Sequence, residues 1–150
     1  MVLAGCLSSY AQEKISWMSF EDLESQQAIH AKNILIYFYA DWCTYCKKMD
    51  RVSFASLDNT TLIEKHYYAV KFNVESPEEV QFQEGIFRNK DLNTHRNPVH
   101  DIAKHFLKGR EDAYALPALL ILDKTYKVLD AYFTYLSPQD LKAILSYYSL

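Results

Sequence analysis

The feature that most constrains the fold is a strand-like run that leads directly into a closely spaced pair of cysteines. Residues 34–40 are apolar and aromatic, and Cys43 and Cys46 follow. A short run rich in aromatic and branched residues is typical of a buried strand. The charged positions after Cys46 indicate a helix, so the predicted order is strand, tight turn and helix. Cys43 then begins the helix, where free N–H groups and the helix dipole favour a thiolate.

Length and composition narrow the class of protein. A chain of 150 residues with 49% hydrophobic residues is expected to form one α/β domain with a substantial core rather than a disordered segment. The net charge of -3 gives no reason to expect a nucleic acid or an anionic membrane as a partner. The sequence has no run of 18 apolar residues, so we expect no transmembrane span.

The first residues differ in character from the rest. Residues 1–11 read as the remnant of a secretory signal or as an N-terminal tail, and residues 12–150 as the domain. Leu3-Ala4-Gly5-Cys6 resembles a bacterial lipoprotein box, which would place a lipid anchor on Cys6. Ser9-Tyr10-Ala11 instead resembles a cleavage signal that would remove Cys6, and an ordinary N-terminus is the third interpretation. Export to the periplasm or the medium is the prediction.

Apolar periodicity and capping residues predict the remaining elements. The predicted helices cover residues 19–31, 43–55, 59–66, 98–108 and 137–147, and the predicted strands cover residues 33–39, 67–74, 119–122 and 128–134. Ser76-Pro77 reads as a further helix start, because proline is common at the first helical position. The segment 75–110 is long for a connection, and we expect it either to determine partner specificity or to extend the fold without a binding role.

The segment around the cysteines, "YADWCTYCKKMD", resembles the active site of the thioredoxin superfamily. It is most similar to exported members, including the C-terminal domain of transmembrane thiol-reductant carriers. A second element, "ALPALLIL" at residues 115–122, resembles the cis-proline loop and the strand after it. The resemblance implies a thioredoxin fold: a central mixed β-sheet flanked by helices, with an expanded helical or loop insertion, residues 75–110, before the cis-proline.

The resemblance also implies the site residues. Cys43 would be the exposed attacking thiol, and Cys46 the buried resolving thiol of a redox-active disulfide that needs no dissociable cofactor. Pro117 would be the cis-proline, and Leu116 would pair its backbone with the bound substrate. Trp42 is expected to shield the cysteines and to form part of the docking face, or else to be a core aromatic.

One position departs from the family pattern. Many relatives carry a buried acid six residues before the first cysteine, and Tyr37 occupies that position here. Lys71 matches the lysine that pairs with the acid. The proton relay is therefore incomplete by resemblance, and our hypothesis is that water or the Tyr37 hydroxyl replaces the acid.

The residues between the cysteines bear on the direction of electron flow. Thr44 and Tyr45 place no cation beside Cys43, whereas strong oxidants of the family often have one there. Asp41 also opposes a thiolate at Cys43. Lys47 and Lys48 favour the thiolate, but we expect solvent to screen them. A reductase is predicted, with protein disulfides as substrates and a membrane thiol-reductant carrier as the electron donor.

The alternatives are a disulfide-forming oxidase, an isomerase, a binding module with idle cysteines, and a metal site. Two cysteines and some of five histidines could ligate zinc or copper. No two histidines have the i, i+4 spacing that would place both on one helix face, so no metal ligands are assigned. The histidines are His30, His66, His95, His100 and His105.

Overall fold

The strand that precedes the cysteines lies in the middle of the sheet. In the computed structural model of the protein, which describes residues 14–110 and 115–150, β1 (Asn33–Tyr39) pairs in parallel with β2 (Tyr67–Asn73) and antiparallel with β5 (Ala118–Leu122). β6 (Val128–Tyr132) pairs antiparallel with β5, so the strand order is β2-β1-β5-β6. All five inner residues of β1 are buried. The mixed α/β architecture predicted from the sequence is confirmed.

Five α-helices of the described residues cover the sheet. They are α1 (Phe20–Ile29), α2 (Thr44–Lys48), α3 (Leu57–His66), α4 (Asp101–Leu107) and α5 (Pro138–Tyr148). α3 and α5 pack against each other, and the segment after α2 contacts α5. On the other side of the sheet, Phe20 of α1 stacks on Phe106 of α4, with ring centroids 5.8 Å apart.

Neighbouring residues of β1 point to these two opposite layers, as alternation along a strand requires. Tyr37 faces the cysteine helix, because its hydroxyl group hydrogen-bonds to the Cys46 carbonyl. Phe38 faces the α1 layer, where it contacts Phe72, itself in contact with Phe20. β1 therefore links the cysteine layer to the apolar core on the other side.

Two serine caps predicted from the sequence begin helices in the structure. The Ser19 hydroxyl accepts the Asp22 N–H at the start of α1. Ser137 and Asp140 form a full capping box, with Pro138 as the first residue of α5. Prediction was less accurate for α3, which begins at Leu57 after Ser56, two residues before the predicted start at residue 59.

The helix predicted at Ser76-Pro77 is absent from the structure. The described chain there forms a hairpin instead, with strands β3 (Val80–Phe82) and β4 (Gly85–Phe87). Glu21 and Glu24 of α1 explain the difference, because their carboxylates accept the backbone N–H groups of residues 81 and 83 at 2.9 and 2.7 Å. Long-range contacts thus replace the hydrogen bonds that a local helix would have supplied.

The predicted helix after the cysteines is also shorter and less regular than expected. It begins as α2 but changes at Met49 into a π-helical turn, Met49–Ser53. Within the described residues, no helix is both long and apolar enough to cross a membrane. The proposed boundary near residue 11 and the fate of Cys6 lie outside the described residues.

Candidate active site

Cys43 and Cys46 are joined by a disulfide at the start of α2. Their Cα atoms are 5.2 Å apart. Cys43 is the N-cap residue, and its Sγ accepts the Cys46 N–H at 3.2 Å. The sequence prediction that the first cysteine begins the helix is therefore confirmed. Free N–H groups at this end and the positive end of the helix dipole stabilise a thiolate there when the pair is reduced.

The expected contrast in exposure between the two cysteines is wrong for this oxidised form. Cys43 was predicted to be exposed, but it is only 3% exposed, and Cys46 is 1% exposed. The Cys43 Sγ is turned inward by its bond to Cys46 Sγ and by the hydrogen bond from the Cys46 N–H. In this oxidised form, little of either cysteine is accessible to solvent.

Tyr37 lies directly behind the cysteine helix. Its side chain is fully buried, and its hydroxyl donates to the Cys46 carbonyl oxygen at 3.1 Å. Burial, and then the negative charge of Asp50, raise the pKa of Tyr37 well above its usual range. The hydroxyl thus stays protonated near neutral pH and holds the helix in place, which favours a positioning role over the acceptance of a proton.

Lys71 pairs with an acid on the cysteine helix. Its ammonium nitrogen lies 2.9 Å from Asp50 Oδ1 and 4.7 Å from the ring centre of Tyr39. Lys71 is also opposite Tyr37 in the parallel ladder. Sequence reasoning missed Asp50. The signal available was its position four residues after Cys46, one helical turn further along.

Trp42 is held over the surface next to Cys43. Its side chain is 58% exposed, and its indole Nε1 donates to Glu75 Oε1 at 2.5 Å. The interpretation of Trp42 as a core aromatic is therefore wrong. Glu75 was not among the predicted site residues. It lies just beyond β2, in a loop where sequence spacing gave no signal of a contact with residue 42.

The Leu116–Pro117 peptide bond is cis, as the resemblance implied. Pro117 is buried, and Leu116 is half-buried. Leu116 lines the same cavity as Trp42. The structure therefore places Trp42 and Leu116, two of the residues expected to bind the substrate, on one cavity.

The two residues between the cysteines both face solvent. Tyr45 lies near Tyr135, with ring centroids 6.2 Å apart, and the Lys48 ammonium lies 4.4 Å from the centre of the Tyr135 ring. Thr44 lines a shallow depression with Lys47 and Asp50. Tyr45 thus extends the aromatic surface around the cysteines on the side away from Glu75.

His100 is a buried residue that sequence reasoning treated only as a possible ligand. Its Nδ1 accepts the Ile102 N–H at 3.1 Å, and its Nε2 lies 2.8 Å from the Glu78 carbonyl oxygen, to which it donates. Burial lowers the pKa of His100 and favours the neutral ring. His100 therefore joins α4 to the loop after β2. The described part of the chain contains no group of three or more histidine, cysteine or acidic residues arranged to hold a metal ion.

Comparison with known proteins gives a family and a set of similar folds. A profile of the thioredoxin-like domain family matches residues 20–149. None of the curated proteins is significantly similar in sequence. Among solved structures, the DsbH oxidoreductase is 18% identical with a TM-score of 0.61, and the match covers 98% of this chain and 90% of that one.

Two further structures have the same fold. A disulphide isomerase from Xylella fastidiosa Temecula1 is 19% identical with a TM-score of 0.56, and the match covers 97% of this chain and 98% of that one. A thioredoxin from Thermus thermophilus is 12% identical with a TM-score of 0.63, and the match covers 89% and 86%. At these identities the comparisons establish the fold.

Proposed function

Because the chain belongs to the thioredoxin-like domain family, we propose that it is a reductant that cleaves disulfide bonds in exported bacterial proteins. The observation that carries the proposal is the Cys43–Cys46 disulfide at the start of a helix. The family and this bonded pair together support a thiol–disulfide oxidoreductase. No dissociable cofactor is required, because the electrons reside in the two cysteines.

The reaction begins with the reduced protein. The Cys43 thiolate attacks one sulfur of the substrate disulfide, forms a mixed disulfide, and releases the other substrate sulfur as a thiolate that takes up a proton. The Cys46 thiol then loses its proton and attacks Cys43 Sγ, which releases the second substrate thiolate. The substrate has gained two electrons and two protons, and the Cys43–Cys46 disulfide has formed.

The charges near the cysteines favour the reducing direction. A pair is oxidising when its surroundings stabilise the thiolate and with it the reduced form. Asp41 is exposed next to the site, and the Glu75 carboxylate is bound to the indole of Trp42. Both negative charges oppose a thiolate at Cys43. Asp41, Lys47 and Lys48 are all exposed, so solvent screens their charges, and the half-buried Glu75 carboxylate is the charge that supports the reducing direction.

Substrate docking is assigned to Trp42, Leu116 and Pro117. Trp42 and Leu116 would contact the polypeptide on either side of the partner cysteine, and the Leu116 backbone would pair with it. Pro117 would fix the shape of that loop. The exposure of Trp42 and its position with Leu116 on one cavity support this assignment.

The proposed location is the periplasm or the medium, and Cys6 is the proposed point of lipid attachment. The pattern of residues 3–6 supports this part of the proposal. A reductant outside the cytoplasm must be recharged, and a membrane thiol-reductant carrier is the proposed donor of two electrons. Radiolabelled palmitate tests the anchor, because label on the wild type and none on Cys6→Ser is expected.

A single-turnover experiment in both directions tests the proposed function. The dithiol form is mixed with a disulfide-bonded protein, and the disulfide form with the same protein after reduction. Alkylation of free thiols at timed intervals follows both reactions. We expect the first reaction to be faster and to proceed further, since the pair is proposed to be reducing.

Two variants serve as controls. Cys46→Ser should accumulate the mixed disulfide, because the resolving thiol is absent, and Cys43→Ser should form none with the substrate. Faster reaction of the disulfide form with the reduced protein would make the chain an oxidase. Failure of both reactions in the wild type would remove the redox function.

A further inference from the structure

A cavity of about 520 Å³ opens between the active-site loops and the segment 75–110. We call it the insert groove. Its lining includes Trp42, the residue before Cys43, and Leu116, together with Glu75, Pro98 and Val99 of the segment 75–110. The groove therefore connects the residue next to the disulfide with the segment whose role the sequence left open.

The side chains that line the groove near the disulfide are largely apolar. Trp42 is mostly exposed, Leu116 and Val99 are half-buried, and Pro98 is buried. An apolar wall of this kind binds aliphatic or aromatic side chains by removing their surface from water. Because Trp42 directly precedes Cys43 and lines this wall, a partner chain bound along the wall would carry its cysteine close to Cys43.

The charges around the groove differ at its two ends. At the far end, the Asp91 carboxylate lies 2.8 Å from the Lys104 ammonium and 3.6 Å from His95 Nδ1. That carboxylate is neutralised by its neighbours. At the near end, the Glu75 carboxylate accepts only the Trp42 indole N–H, and no lysine, arginine or histidine of the described residues forms an ion pair with it.

On the basis of the proposed function, we propose that the insert groove binds an extended segment of the partner protein next to its reacting cysteine. This segment presents an apolar side chain to Trp42, Leu116 and Val99, and a lysine or arginine to Glu75. Charge complementarity determines which partner binds, because the half-buried Glu75 carboxylate, which has no counter-ion among the described residues, attracts a cation and repels an acidic side chain. Segment 75–110 then determines which disulfides are reduced.

The test uses peptides that contain one internal disulfide and differ only beside the first cysteine. The flanking residues are Lys-Leu, Glu-Leu, Lys-Ser or Glu-Ser. The wild type and its variants are recycled with dithiothreitol, and kcat/KM is measured by alkylation and mass spectrometry. We expect the Lys-Leu peptide to exceed the Glu-Leu peptide by about two- to fivefold, the range that one partly screened ion pair gives.

Glu75→Gln removes the charge but keeps an oxygen acceptor for the Trp42 indole, so it should abolish the preference for lysine over glutamate. Glu75→Lys should reverse the preference. The matched control is Glu84→Gln, which removes an equal charge at the turn between β3 and β4 and should leave the preference unchanged. Val99→Thr should reduce the preference for leucine over serine, whereas Ile86→Thr on exposed β4 should not.

The outcomes separate this inference from the proposed function. If all four peptides are reduced at equal rates, the groove does not select partners, and the reductase function stands. A lysine preference that persists in Glu75→Gln and Glu75→Lys also overturns the inference. If oxidised glutathione is reduced faster than every peptide, and competes with them, the groove serves small disulfides instead. If nothing is reduced, both proposals fail.

Discussion

The cysteine region and the segment 75–110 differ in how their structure is determined. β1 and the turn to Cys43 match the local pattern of the sequence, because the five inner residues of β1 are all buried, as in a strand that is covered on both faces. In the segment 75–110, polar residues suggested a helix start at Ser76-Pro77, and the structure has a hairpin held by carboxylates of α1. The structure of a buried apolar strand follows from its own sequence, whereas the structure of a polar connection depends on the residues that it contacts.

Substitutions of phenylalanine in the two regions give the largest expected difference. Phe38→Ala in β1 should lower the free energy of unfolding by about 3–5 kcal/mol, because the side chain is fully buried and leaves a cavity. Phe87→Ala in β4 should cost about 1–2 kcal/mol, since Phe87 is half-buried. Denaturant unfolding measures both. Equal losses would show that β4 is as much a part of the core as β1.

A decrease in pH should destabilise the segment 75–110 before it destabilises the cysteine region. The pKa of His100 is lowered by burial, so below the unfolded-state pKa of about 6.5 the unfolded chain binds a proton more readily than the folded chain does. The free energy of unfolding should then fall with decreasing pH, by at most about 1.4 kcal/mol per pH unit for one proton. Above that pKa, His100 should contribute no pH dependence.

Hydrogen exchange at pH 5 and pH 7.5 locates the effect of acid. Protonation of Nδ1 removes the acceptor for the Ile102 N–H, so amides of α4 should lose protection before those of β1. His100→Asn keeps a capping acceptor without this titration, and it should remove the difference between the two pH values. Equal loss of protection in β1 and α4 would contradict the account.

Tyr37→Phe tests how the cysteine region is held in place. It removes the hydrogen bond to the Cys46 carbonyl and should cost about 1 kcal/mol in the free energy of unfolding. The rate at which Cys46 resolves a mixed disulfide should change by less than about threefold, because the free energy of one neutral hydrogen bond is small. Tyr39→Phe is the control. A loss of more than tenfold in the resolving rate would give the Tyr37 hydroxyl a part in proton transfer.

The smallest effect is expected for the ion pair beneath the cysteines. Lys71→Met should cost less than about 1 kcal/mol, because both members of the Lys71–Asp50 pair are partly exposed. Lys142→Met breaks the more exposed pair with Asp58 and should cost less still. Unfolding in low and high salt measures both. If Lys71→Met slows only the resolving step, the pair acts on the reaction rather than on stability.

These regions also show what sequence alone could predict. The bounds of β1, the cap at Cys43 and the helix start at Ser137 depend on neighbouring residues, and the sequence predicted each of them. The pairing of Lys71 with Asp50 depends on where a helix places its next turn, and Asp50 lies in a π-helical turn that no local pattern indicated. The contact of Glu75 with Trp42 and the position of His100 could not be predicted from local sequence, because both depend on the whole fold.

The reduction potential of the Cys43–Cys46 pair tests the central claim most directly. The full chain is equilibrated in dithiothreitol or glutathione buffers of graded poise, its free thiols are alkylated, and the reduced fraction is read by mass spectrometry. We predict a reduction potential of about -270 mV or lower, as in thioredoxin. A reduction potential of about -120 mV, typical of a strong oxidant, would contradict the reductase account.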